Sequence, residues 1–198
     1  RVRVDAESLS RLPTGLMLRT IASDTWGYFR DLVDRRYHLP LNSVQLIPER
    51  YIGDYTSPTD IALYLLSVLS AYDLGFINRE EALSRMRSTL TQLSSLASWR
   101  HLFYNYYNTT NLQVTRRYIS SVDNGWLAAA LVVLRQAVPE IAQICSSFLE
   151  QMDFSVFYDE HVGQMRLGYD IEQETFAPYH YGLLATEARI LSLVAIGK

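Results

Sequence analysis

Three short stretches of the sequence carry the same helix-starting chemistry, and their spacing limits the possible folds more than any other feature. Ser57-Pro58-Thr59-Asp60, Asn78-Arg79-Glu80-Glu81 and Ser120-Ser121-Val122-Asp123 each set a small polar residue three positions ahead of a carboxylate. The polar side chain accepts from a free amide of the first turn, and the carboxylate can reach back to the amide of the cap. Pro58 adds a ring suited to the first helical position. Apolar spacing then predicts six helices, near 13–36, 58–74, 79–97, 121–137, 139–152 and 180–197, with Gly75 ending the second and Pro139 opening the fifth. One strand signal remains, a small hairpin of 156–158 against 165–169 around Asp159 to Gly163.

The connections alternate between long and short, which pairs the helices. Those entered from a long loop start near 58, 121 and 180, a repeat of roughly sixty residues without obvious sequence identity. The expected fold is therefore an all-α array of three helical hairpins with a small β-hairpin inserted. Each long loop arrives at the N-terminus of the second helix of its pair, so all three loops should gather at one end. That end is the candidate site.

Composition removes several function classes. With 198 residues, 48% of them hydrophobic and 20% charged, the chain suits one globular domain over 1–198. A net charge of −3 gives no basic field for a phosphate backbone, so nucleic acid is not expected as a partner. The longest apolar run, Trp126 to Leu134, falls short of the roughly 20 residues a spanning helix needs, so this segment is not expected to insert in a membrane. His38, His101 and His161 lack metal-ligand spacing, and Cys145 is alone; no metal is expected. Gly-rich phosphate loops and nucleophile elbows are missing too, so no cofactor is expected. His180 and Glu187 are seven positions apart on one face of the last predicted helix, a spacing that fits a local polar network as readily as an acid and a base. The sequence opens on Arg1 rather than methionine and reads as an excerpt of something longer.

The long loops are rich in aromatic and amide side chains. Thr56, Ser57 and Asp60 stand in the first, "FYNYYNTTNL" with Tyr104, Asn105, Tyr107 and Asn108 in the second, followed by Asp123, Asn124 and Trp126, and "PYHYG" with Tyr179 and His180 in the third. Aromatic faces cover the C–H face of a pyranose while amides and carboxylates bind its hydroxyls, which makes these residues candidate sugar contacts. Local packing explains single tyrosines equally well. Asp123 likewise has two readings, a capping carboxylate or a ligand-facing one.

Several stretches resemble the bacterial glucoamylase-like domain, and are similar also to the transglycosylating domain of cyclic β-1,2-glucan synthases and more distantly to endo-β-1,2-glucanases. "IASDTWGYFRDLV" is similar to its opening helix, "YTSPTDIALYLLSVLSAYDLGFI" to its second helix, "FYNYYNT" to a Phe-Tyr-Asn-Trp-Tyr-Asp-Thr loop, and "YISSVDNGWLAAAL" to its Val-Asp-Ser-Gly or Val-Asp-Asn-Gly turn; "MDFSVFYDE" and "HYGLLATEARILSLVAIGK" complete the series. The resemblance implies an (α/α)6 toroid of which this chain is the N-terminal half, a glycoside hydrolase or transglycosylase acting on bacterial β-glucan or related oligosaccharide. Asn108, Tyr106 and Leu102 depart from the family's aspartate, tryptophan and histidine, as do Asn42, Ser43 and Leu46 from its Asp, Asn and Glu. An amide cannot act as a base, and the resemblance implies that the catalytic pair comes from later hairpins, so no catalytic residue is assigned. A non-catalytic glycan-binding module and a helical protein-interaction scaffold stand as alternatives. Half a toroid should dimerise or pack against a missing C-terminal half.

Overall fold

The polar caps act where they were expected. In the computed structural model, which describes residues 6–182 and 185–197, α1 spans Ala6–Ser10, α2 Thr14–Asp31, α3 Pro58–Asp73, α4 Arg79–Ser95, α5 Ser121–Ala137, α6 Ala142–Gln151 and α7 Ala188–Gly197. Ser57, Asn78 and Ser120 each accept from the amide three residues on, opening α3, α4 and α5. Gly75, at φ +71°, closes α3: its amide bonds Tyr72 and the Phe76 amide bonds Ala71, the paired reversed bonds of a Schellman motif.

The helices form two rows. α3 packs on α5 and α5 on α7, while α2 and α4 lie against α3 and α6 against α5. In chain order outer and inner helices alternate, α2 then α3, α4 then α5, α6 then α7, which makes three repeats of a partial α/α toroid with α3, α5 and α7 as the inner row. Leu65, Val68, Leu90, Leu127, Leu131 and Leu134 are fully enclosed between the rows. At Gly125 a Cβ would stand 3.0 Å from the Cα of Leu191, so only hydrogen at this position lets the first turns of α5 and α7 approach so closely. Among the described residues, no helix is long and apolar enough to cross a membrane.

Three expectations are corrected. The first long helix stops at Asp31 rather than 36, because the chain folds back: Leu41 bonds Leu32, Asp34 bonds Leu39, and the Asp34 carboxylate accepts the amides of Arg36 and Tyr37. The last helix starts at Ala188 rather than 180, because the backbone of 179–181 is used in loop pairing, with Tyr181 bonded to Met165 and Arg166 bridged to His180. The strand content exceeds one hairpin: β1 Val44–Gln45, β2 Tyr51–Ile52, β3 Tyr55–Thr56, β4 Ser98–Trp99, β5 Leu102–Phe103, β6 Tyr106–Asn108, β7 Val114–Arg116, β8 Tyr118–Ser120, β9 Tyr158–Asp159, β10 Gln164–Met165, β11 Gly168–Asp170 and β12 Thr175–Phe176. The expected hairpin shrinks to β9–β10, and Gly168 to Asp170 pair instead with β8 and β12.

These strands tie the long loops together. Antiparallel β3–β6–β7 joins the first loop to the second, and β8–β11–β12 joins the second to the third. A Cβ on Gly168 would lie 2.3 Å from the Ile119 carbonyl oxygen, so β11 can run this close to β8 only as glycine. Thr56 pairs with Tyr107, the Asn105 amide bonds Tyr118, and the Leu167 amide bonds Tyr179. All three loops therefore meet at the N-terminal ends of α3 and α5.

Candidate functional site

The two Ser-x-x-Asp signatures at this end do different work. The Asp60 carboxylate closes a full capping box: its Oδ2 accepts the Ser57 amide at 2.8 Å, the Ser57 hydroxyl at 2.8 Å and Asn42 Nδ2 at 2.9 Å. Asn42 thus anchors the first loop onto α3. Asp123 makes no reciprocal bond to Ser120, although the Ser120 hydroxyl accepts the Asp123 amide at 3.3 Å. Its Oδ1 instead accepts the Thr59 hydroxyl at 2.5 Å, across from α3, and no other hydrogen bond to its carboxylate occurs among the described residues. Asp123 is half-buried and has acceptor capacity to spare.

Phenols surround it. Burial raises the Tyr106 hydroxyl above the ordinary tyrosine range, and the Asp123 charge adds to this. Tyr118 is raised by burial, against the pull of Arg116, with Asp170 and Asp123 adding. Tyr181 is pushed up to about 12 by burial, then by Asp123, Glu187 and Tyr118. Each therefore stays protonated, and a donor, at neutral pH. Tyr55 meets Tyr106 edge-on at 5.2 Å, and the Arg116 guanidinium lies 5.0 Å over the Tyr118 ring. None of Tyr106, Tyr118 and Tyr181 was a candidate in the sequence, because which phenols approach the carboxylate depends on how the second and third loops pair at the start of α5.

Glu187 was weighed only as a partner of His180. Expected two turns inside a helix, it immediately precedes α7, is exposed, and bears with Asp123 on the same Tyr181 hydroxyl. It shares no helical face with His180. The His180 ring sits 2.9 Å from buried Asp159, which also pairs with Arg166 at 2.5 Å. That ring holds the Asp159 carboxyl below the usual carboxylate range against the opposing effect of burial, with the His161 amide and Arg166 helping.

Several other candidates are engaged in the frame. Tyr107 is fully buried, its hydroxyl accepting the Tyr104 amide at 2.8 Å and donating to the Ala97 carbonyl at 2.5 Å. Asn124 is also fully buried; it accepts the Phe103 amide at 2.7 Å and donates to the carbonyls of Phe103 and Ser120, each at 2.9 Å. Asn108 accepts from the Thr110 amide and hydroxyl and from the Asn111 amide, as in an Asx turn. Tyr104, Thr56 and Asn105 are buried, and Asn105 Oδ1, Thr56 Oγ1 and Trp126 Nε1 have no partner among the described residues. Tyr179 is 71% exposed at the rim. No three His, Cys, Asp or Glu side chains among the described residues are grouped to hold a metal ion. A cavity of about 990 Å³ opens between the end of α6, the β9–β10 hairpin and α7, and Tyr181 borders it as well as the Asp123 cluster.

Comparison with known proteins agrees with this architecture. Residues 20–177 match the family described as protein of unknown function, DUF3131. The chain is 36% identical over 135 residues, 67% of its length, to the cyclic beta-(1,2)-glucan synthase NdvB of Rhizobium meliloti (strain 1021), and spans only 5% of that protein. Among solved structures it is similar to the endo-beta-1,2-glucanase of Chitinophaga pinensis, at TM-score 0.74 and 12% identity over 92% of this chain and 47% of that one. The beta-1,2-glucanase of Parabacteroides distasonis matches at TM-score 0.72 and 14% identity, over 93% of this chain and 28% of that one. The chain spans less than half of these relatives, and its three helical pairs superpose on part of their helical domains. By the match over most of its length, this chain belongs to the DUF3131 family, and its fold is the partial α/α toroid seen in those solved structures.

Proposed function

We propose that this segment supplies part of the glucan-binding mouth of a carbohydrate-active domain of the glycoside hydrolase or transglycosylase type. The observation that carries the reading is the Asp123 carboxylate, released from capping and set among protonated phenols from the second and third long loops. A neutral polyol ligand needs this mixture of acceptors, donors and aromatic faces. The named activities of the glucan synthase and of the glucanases support a β-glucan as the ligand class. Within the mouth, Asp123 accepts sugar hydroxyls, and Tyr106, Tyr118, Tyr181 and the rim residue Tyr179 supply donors and ring faces. Ser57, Asp60, Tyr107, Asn108 and Asn124 contribute by holding loops in place, through the bonds described above.

Glycoside cleavage uses two carboxyl groups about 5 to 9.5 Å apart across the bond. Asp123 and Glu187 are the carboxylates whose charges bear on the Tyr181 phenol, and Glu187, exposed just before α7, is the one to test as a proton donor. The remaining subsites belong to a further half of the same toroid, packed on the apolar edge of α7. A glycan-binding module without turnover is the second reading, favoured by Asn108, an amide whose oxygen serves its own turn and whose Nδ2 donates to Asp54.

Titrating the chain with linear β-1,2-, β-1,3- and α-1,4-glucan fragments, and following tryptophan fluorescence and new reducing ends, tests the reading. Saturable quenching by β-1,2 fragments is the expected result. No response to any of the three glucans rejects it, and reducing ends that vanish in Glu187→Gln separate enzyme from binding module.

A further inference from the structure

We propose that Thr59 is a positioning residue: its hydroxyl, donated across two helices, holds the Asp123 carboxylate in the orientation that receives a sugar hydroxyl. The proposal rests on the glucan reading above and adds to it the group that prepares the acceptor.

Thr59 and Asp123 are far apart in sequence, and their bond is the short, charge-assisted kind, at 2.5 Å. The alternatives open to each side chain make the bond informative. A helical threonine commonly bonds the carbonyl four residues back, as Thr20 does to Leu16 and Thr25 to Ile21 within α2. In the second position of α3, Thr59 has no helical carbonyl behind it, so its proton is available for another partner. Asp123, third in α5, stands where a carboxylate ordinarily swings back onto the cap amide, as Asp60 does in α3. The Thr59 bond draws it to the other side.

Two consequences follow. Asp123 leaves capping of α5 to the Ser120 hydroxyl, and one carboxylate oxygen is satisfied while the other is left without a protein donor among the described residues. A rotor fixed before the ligand arrives loses little freedom on binding, which is how preorganisation raises affinity. The bond also couples the first loop to the second, because Thr59 follows Ser57 and Pro58 in the segment that Asn42 and Asp60 tie down.

The test compares the wild-type chain, Thr59→Val, Thr59→Ala, Thr59→Ser and Asp123→Asn in binding linear β-1,2-glucan fragments, with thermal melting of each. Loss of the donor is expected to weaken binding about tenfold in Thr59→Val, the size of one hydrogen bond to a charged group, while Thr59→Ser restores it. On the Asp123→Asn background Thr59→Val should add nothing, since its effect passes through that carboxylate. If Thr59→Val fails to fold, Thr59→Ala carries the same expectation. Equal affinities of wild type and Thr59→Val overturn the proposal and leave the glucan reading standing, and so does full additivity with Asp123→Asn. A wild-type chain that binds no glucan overturns both.

Discussion

Asn124 shows how a polar side chain can be indispensable without touching a ligand. Fully enclosed, it pairs with both backbone groups of Phe103 and with Ser120, so it clamps the second loop to the start of α5. Asn124→Ala leaves the buried Phe103 amide and carbonyl unpartnered and should cost about 2–4 kcal/mol in chemical denaturation. Asp123, one position earlier, is expected to behave oppositely: Asp123→Asn should change the melting temperature little and remove most of the glucan response. The sequence could not separate these neighbours, nor Asp123 from Asp60, because each outcome depends on partners outside its own segment. The Ser-x-x-Asp pattern is local and was legible; Thr59, which draws Asp123 away, belongs to another helix. Asp159 adds a pH dependence. Its folded carboxyl lies below the ordinary range, so its contribution to stability is complete above about pH 4 and is lost as pH falls through the folded value. Asp159→Asn should therefore flatten the acid limb of a stability profile followed by circular dichroism.

Helices were legible where their ends are written in neighbouring residues. Ser57 with Pro58, Asn78 and Gly75 each act through bonds reaching three to five positions along the chain, and α3 and α4 came within a few residues of expectation. The strands were not legible, since a run of two or three residues cannot display alternation and its partner lies in another loop, as Thr56 does for Tyr107. The same gap displaced the start of α7: the sequence from 180 has a helical period, yet the backbone of 179–181 is taken up by pairing with β10 and its flank. Close packing of α5 on α7 depends on Gly125, a residue that elsewhere in a helix simply lowers its propensity. Gly125→Ala would press a methyl group to within 3.0 Å of the Leu191 Cα, backbone that has no rotamer to yield. A loss of about 1–3 kcal/mol is expected despite the better intrinsic helix propensity of alanine. A variant as stable as wild type would show that α7 can shift outward without cost.

The arc of helices leaves unequal edges. The outer helices α2 and α4 both lie against α3, whereas α7 packs on α5, and its Leu193 and Ile196 are 70% and 84% exposed. At the other end, α2 exposes Leu16, Leu18 and Ile21 at 52%, 58% and 43%. Apolar surface concentrated on the two ends of an arc favours association, each buried methylene contributing about 0.8 kcal/mol. The 198-residue chain alone should therefore self-associate in solution, giving a light-scattering mass above the 22.8 kDa of one copy. If the α7 edge drives this, Leu193→Lys with Ile196→Lys should return the mass to one copy without lowering the melting temperature, since neither side chain is enclosed in the protomer. Leu16→Lys with Leu18→Lys should weaken association too if the two ends meet each other, and should have no effect if α7 edges pair alone. A wild-type chain that stays at one copy at high concentration would mean that these residues are tolerated in water, and the edge of α7 would lose its claim as the surface on which the rest of the toroid packs.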